Sequence, residues 1–182
     1  MSRWLIRFER NTDVDAIDAV IAAAFLHAPH TSHTEQHIVR ALRGADALAV
    51  SLVGEHANGS AGVDEGAGAR EIVGHVAASP VTVAPDAVAG WFGLGPLAVH
   101  PDWQRRGLGI ELTHESLADL RALGARGCVV LGEPAYYGRF GFRAESRLVL
   151  PGVPPEYFQA LAFDGPVPAG TVSYHEAFDA TG

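Results

Sequence analysis

The apolar positions of the chain change period several times, and each change marks an element. Trp4 to Phe8 reads as a short strand. Thr12 and Asp13 then offer capping side chains to a helix that carries Ile17, Val20, Ile21 and Ala24 on one face, the spacing of a helix laid on a core. After a polar stretch from His27 to His33, Glu35, Ile38, Val39 and Leu42 predict a second helix that ends near Gly44. Leu48 to Val53 predicts the next strand. Residues 54 to 70 contain five glycines and no period, which predicts a mobile hairpin loop.

Ile72 to Val83 is rich in Val and Ala and predicts a strand, followed by a turn around Pro85 and another strand from Phe92 to Val99. From Gly107 to Leu123 the period is helical, because Leu108, Leu112, Leu120 and Leu123 fall within about a third of the circumference. Gly127 to Leu131 reads as a buried strand, and Pro134 to Phe140 as a short helix with a proline in its first turn. Phe142 to Leu150 predicts a strand, Pro151 to Leu161 one more short helix, and Thr171 to Tyr174 a last strand. No internal repeat or linker divides the chain. The order of elements predicts a mixed α/β sheet with helices packed against it, and excludes an eight-fold alternating barrel.

Composition narrows the class of protein. At 182 residues and 48% hydrophobic, the chain can bury a substantial core within one domain. Neither a signal-peptide pattern nor a run of eighteen uncharged apolar residues occurs, so the expectation is a cytoplasmic protein without a membrane partner. The lone cysteine, Cys128, cannot form an internal disulfide and fits a reducing compartment. A formal charge of −8 with scattered basic residues argues against nucleic acid. All thirteen basic residues are Arg, a bias that fits genomic composition better than function.

The candidate chemistry lies between Val99 and the next helix. A strand running through Pro101 into Gly107-Leu108-Gly109 leaves the first amides of the helix without intrahelical partners. Those donors and the aligned peptide dipoles together favour an anion such as a pyrophosphate. Glycine at 107 and 109 would keep Cβ atoms away from the phosphate oxygens and permit the dihedrals of an anion-binding nest. Arg105 and Arg106 would add charge-assisted contacts from the rim. An isolated G-x-G serves a tight turn as readily as a ligand; its position between a strand and an amphipathic helix is what favours the ligand. Pro96 cannot donate to a sheet ladder, so it predicts an edge or a bulge that would part neighbouring strands and bare backbone groups to an amide-bearing arm such as pantetheine. A Walker loop is excluded because the chain has no Lys, and a dinucleotide fingerprint fits poorly with Leu112 and Gly127 where small and acidic residues belong.

These residues carry a family resemblance. Leu97-Ala98-Val99-His100-Pro101 followed by Gln104-Arg105-Arg106-Gly107-Leu108-Gly109 resembles the central motif of the GNAT acetyltransferases. Gly93 to Val99 and the string Gly132-Glu133-Pro134-Ala135-Tyr136-Tyr137-Gly138-Arg139-Phe140-Gly141-Phe142 are similar to the YhbS-like predicted N-acetyltransferases in particular. The resemblance implies one GNAT domain over residues 1–182, with a mostly antiparallel sheet whose fourth strand is bulged and split. It implies acetyl-CoA as co-substrate, no metal, and transfer to a primary amine of a small molecule or peptide by direct attack in a ternary complex. Leu97 and Val99 would pair with pantetheine, residues 104 to 109 would hold the pyrophosphate, and an amide near Ala98 would polarise the thioester carbonyl. Tyr137 would protonate the departing thiolate, with Tyr136 structural.

The strand from Phe92 to Val99 has no Glu, Asp or His to take the amine's proton, which leaves Glu133 and His75 as candidate bases. His75 also reads as an ordinary hydrogen-bonded sheet histidine. His30 and His33 lie where the resemblance puts the acceptor pocket and are candidate substrate contacts. His33 and His37 stand four apart, but no H-E-x-x-H or soft ligand accompanies them, so a metal is not expected. Cys128 in an apolar strand reads as core rather than nucleophile. The same fold can also serve as a non-catalytic acyl-CoA sensor or partner-binding module, or take a longer acyl chain. The protein is expected as a monomer or as a homodimer paired through its last strands.

Overall fold

The structure, a computed structural model, describes residues 4–29, 31–57 and 70–181. β1 (Trp4–Phe8) leads through a 3-10 turn into α1 (Val14–Phe25), and α2 (Glu35–Gly44) follows. Next come β2 (Val50–Ala57), β3 (Arg70–Pro80), β4 (Thr82–Ala84) and β5 (Trp91–Val99). Then follow α3 (Leu108–Ala122), β6 (Gly127–Leu131), α4 (Pro134–Tyr137), β7 (Leu148–Val149), β8 (Phe158–Ala162) and β9 (Gly170–Ser173). Six strands form one sheet in the order β1-β2-β3-β5-β6-β8, and β4-β9-β7 form a second. Within the large sheet only β5 and β6 run parallel. A mixed sheet is what the order of elements predicts, and its mostly antiparallel pairing is what the family resemblance implies.

Alternation along β3 explains how helices cover both faces. Val76 and Ala78 point into one core cluster with Leu108, Leu112, Leu117 and Leu120 of α3. Ala77 points the other way, into a cluster with Ile17, Val20 and Ile21 of α1 and Val39 of α2. Leu123, expected on the buried stripe of α3, lies past its end and is 61% exposed, while Leu117 takes the buried place.

Several expectations are corrected. β2 continues to Ala57 through an irregularity at Gly54/Glu55, so the loop assigned to 54–70 begins later; residues 58–69 lie outside the described set. The strand expected over Ile72 to Val83 breaks after Pro80, and its last residues join the second sheet. Phe142 to Leu150 is mostly irregular, retaining one bridge from Arg143 to Ala160 and the two residues of β7. The helix expected over Pro151 to Leu161 is only a 3-10 turn at Pro155–Tyr157, and β8 follows it to pair with β6. Nor is the last strand an open edge, because β9 lies between β4 and β7. No helix among the described residues is long and apolar enough to cross a membrane.

The start of α3 is set by a close approach. A Cβ on Gly54 would lie 2.6 Å from a methyl of Leu108, and one on Gly74 would lie 2.8 Å from the other. The two glycines therefore form a hollow in the sheet that receives Leu108, which is 1% exposed. Leu108→Ala empties that hollow and should lower stability by about 2–5 kcal/mol, read as a shift of the urea unfolding midpoint at unchanged slope.

Candidate active site

β5 does two jobs along its length. From Trp91 to Leu94 it pairs in parallel with Gly127 to Val130 of β6. That pairing ends at Leu94, whereas pairing with β3 on the other edge continues to Val99. At the point of parting, Leu94 faces Ala78 and Leu97 faces Val76, so Gly95 and Pro96 together oppose Ala77. This is the bulge that Pro96 foretold, since a proline has no N–H to place in the ladder.

Parity decides which backbone groups face the opening. The His100 N–H donates to the Val73 carbonyl at 2.9 Å, so in this antiparallel ladder the polar groups of His100 and Ala98 are directed at β3. Those of Leu97 and Val99 are directed away from β3, into the split. Consistently, the Val99 carbonyl accepts a hydrogen bond from Gln104 Nε2–H at 3.0 Å. Of the amides near Ala98, its own faces the sheet and its side chain is buried against α1, while the Leu97 amide faces the split.

The anion site has the predicted backbone. Arg105 (φ 59°) and Gly107 (φ 95°) are both left-handed, which curls the chain as it enters α3. Ile110 and Glu111 donate to the Gly107 carbonyl, while the amides from Arg105 to Gly109 have no acceptor among the described residues. Gly107 has open space where its Cβ would stand. A groove of about 490 Å³ runs along this turn, walled by Leu97, Val99, Gln104, Arg105, Tyr136 and Arg139 among others. Arg106 lines neither this groove nor its neighbour; its guanidinium stacks over Trp103 at 4.9 Å. The second cation lining the groove is Arg139, which no motif singles out although it stands three residues after Tyr136 on the same short helical run.

A second cavity of about 630 Å³ lies on the far side of Leu97 and Tyr136, which wall both. The bulge, Tyr137, Glu133 and Glu35 line it, with Phe25 and Phe178 among its apolar walls. Tyr136 walls both spaces: its ring lies under the Arg139 guanidinium at 4.8 Å, and its hydroxyl stands 3.0 Å from where a Cβ of Gly109 would be. Tyr137 packs edge-on against Phe142 and Tyr136, and a Cβ at Gly132 would lie 2.4 Å from its ring. Burial raises its phenol pKa well above the ordinary value, with a smaller contribution from neighbouring Tyr136, so it stays protonated.

The two candidate bases separate. Glu133 caps α4, accepting from the Ala135 N–H at 3.4 Å, and is an exposed wall of the second cavity. His75 is fully buried and lines neither cavity, which corrects its candidacy. Its Nε2 meets the Ser51 hydroxyl at 2.9 Å, and burial lowers its pKa despite Glu9 3.7 Å away. It is a sheet histidine. His33 is an exposed turn residue ahead of α2 and lines neither cavity, and His30 lies outside the described residues. Cys128 is buried in β6, and burial raises its thiol pKa, as a core residue requires. No group of three His, Cys, Asp or Glu side chains among the described residues is arranged to hold a metal.

The split strand and bare helix start, in this sheet order, define an acetyltransferase fold. A family model described as an acetyltransferase (GNAT) domain matches residues 62–144. The uncharacterized N-acetyltransferase YhbS of Escherichia coli strain K12 is 34% identical over 96% of this chain and 98% of its own. A crystal structure of a GNAT family acetyltransferase from Brucella melitensis in complex with acetyl-CoA is 44% identical, with a TM-score of 0.80 over 97% of this chain and 98% of that one. YhbS from Escherichia coli in complex with CoA superposes with a TM-score of 0.81 over 100% of this chain and 95% of that one. The chain belongs to the GNAT acetyltransferase family.

The raised Tyr137 pKa carries a sign for stability. The unfolded chain loses this proton first, so its contribution is complete below about pH 10 and is lost as pH rises further. The urea midpoint should fall between about pH 8 and about pH 11, and the fall should be smaller in Tyr137→Phe.

Proposed function

We propose that the protein transfers the acetyl group of acetyl-CoA to a primary amine by direct attack in a ternary complex. The observation that carries this reading is the continuity of two features: five amides without acceptors at residues 105–109, and an unpaired strand edge at Leu97 and Val99 in the same groove. A diphosphate fits the first and an amide-bearing arm the second. The Brucella melitensis relative in complex with acetyl-CoA and Escherichia coli YhbS in complex with CoA support the same donor here.

Acetyl-CoA would supply an activated thioester. The amides of residues 105–109, with Arg105 and Arg139, hold the diphosphate, and Gln104 gives up the Val99 carbonyl to the pantetheine arm. The Leu97 N–H, left free by the bulge, donates to the thioester carbonyl and stabilises the charge that grows there on attack. Glu133, in the second cavity and open to water, takes the first proton of the ammonium and passes it to solvent. As the new nitrogen–carbon bond forms and the carbon–sulfur bond breaks, Tyr137 donates its proton to the departing sulfur and regains one from the acylated nitrogen. The protein acts in the cytoplasm on this reading.

Two variants separate binding from chemistry. Gly107→Glu puts a carboxylate and a strained left-handed residue into the anion site, and should abolish CoA binding by calorimetry with an unchanged circular dichroism spectrum. Tyr137→Phe should lower kcat by about 10²–10⁴ with acetyl-CoA affinity preserved; equal turnover in the two proteins would refute the assigned acid.

A further inference from the structure

The second cavity carries information about the acceptor that the transfer reading alone does not. Its walls are mainly apolar and aromatic: Phe25, Ile38, Leu131, Leu150, Tyr174 and Phe178. Tyr174 packs tilted against Phe178 with ring centres 4.7 Å apart, and burial raises its phenol pKa, so it too remains neutral. Among the described residues its charged side chains are two carboxylates, Glu35 and Glu133, and no Arg or His lines it.

Glu35 is the informative one. It lies in the first turn of α2 and is half-buried. Its Oε1 is occupied, accepting from the Thr31 hydroxyl at 2.5 Å and from the Ser32 N–H at 3.3 Å. Its Oε2 is buried and has no hydrogen-bond partner. That oxygen is closed to the cavity, so what Glu35 offers a ligand there is the negative charge of its carboxylate, held in place by Thr31 and Ser32. An ammonium group answers that charge. By contrast, an acceptor bearing its own carboxylate would bring a third negative charge into a lining that holds no cation among the described residues.

We propose, resting on the transfer reading above, that the acceptor is a lipophilic primary amine without a carboxylate, its aromatic or branched body against the apolar walls and its ammonium beside the Glu35 carboxylate. Glu35 binds and orients the amine, while Glu133 at the wet side of the cavity removes the proton that attack requires. A free α-amino acid is excluded by its carboxylate. A polyamine is disfavoured, because its further charges would lie against Phe25, Ile38 and Phe178 without partners.

The test is a matched panel assayed for thiol release with the full chain: 2-phenylethylamine, phenylalanine, phenylalanine amide and spermidine, each with acetyl-CoA. The expected result is a kcat/KM for 2-phenylethylamine about 100-fold or more above that for phenylalanine, with phenylalanine amide, which lacks the charge, recovering most of the difference. In Glu35→Gln, KM for 2-phenylethylamine should rise about 10-fold or more with kcat changed far less, and Glu35→Asp should fall between. Calorimetry of acetyl-CoA with each variant reads whether the fold and donor site are intact. Phenylalanine or spermidine acetylated as well as 2-phenylethylamine, or Glu35→Gln with an unchanged KM, overturns the acceptor assignment and leaves the transfer reading standing. Acetyl-CoA bound without thiol release above background to any of the four overturns the acceptor assignment, and failure of wild-type protein to bind acetyl-CoA overturns the transfer reading itself.

Discussion

The position of one leucine governs the donor side of the molecule. Leu108 stands between the two glycines of the anion site and is driven into the hollow over Gly54 and Gly74. Burial of that side chain fixes where α3 begins, and with it the direction of the preceding amides. The left-handed turn at Gly107 can then face its donors outward, because the helix behind it cannot slide. An anion site of this kind is weak when its loop is free to collapse onto its own carbonyls; here the apolar anchor and the polar donors alternate along three consecutive residues.

The strand leading to that turn solves a complementary problem. A sheet interior normally uses both edges of every strand, and a ligand can find backbone partners only where one edge is released. The two residues Gly95 and Pro96 opposite Ala77 let β5 stay in register with β3 as it leaves β6. The cost falls on Leu97 and Val99, whose polar groups face the gap, and Gln104 covers one of them. Ala98 is spared because its parity is opposite. Whether a residue in this motif serves the sheet or the ligand is therefore a matter of odd and even positions, which a sequence motif does not display.

That distinction runs through what was legible in the sequence. The helical stripes of α1, α2 and α3, the strand before Pro101 and the glycine turn all follow from local period and stereochemistry, and they place the donor groove. β8 escaped because Phe158, Gln159 and Ala160 are all buried, which erases the alternation, and because Pro154 and Pro155 imitate a helix start. Gln159 explains its own burial by donating to the Gly132 carbonyl at 3.1 Å. His75 drew notice as a titratable residue in a strand, and only the third dimension shows it sealed beneath α1 and tied to Ser51. Glu35 drew none, since an acidic residue in the first turn of a helix is the ordinary response to the helix dipole. Its place in the cavity wall appears only in the assembled fold, whose lining comes from segments more than a hundred residues apart.

The acid and the base of the proposed transfer differ in their access to solvent rather than in their charged neighbours. Tyr137 lies among Gly132, Tyr136 and Phe142, and the loss of water raises the cost of its phenolate. Glu133, four residues earlier, is exposed at the cap of the same short helix. One turn of backbone thus carries a phenol removed from water and a carboxylate open to it. In the proposed transfer, a thiolate leaving into the same dry split would be made more basic by its own loss of water, which would offset the raised cost of the phenolate beside it, and an ammonium entering from the cavity would supply the proton that must leave. On that reading β5 can dispense with a base of its own.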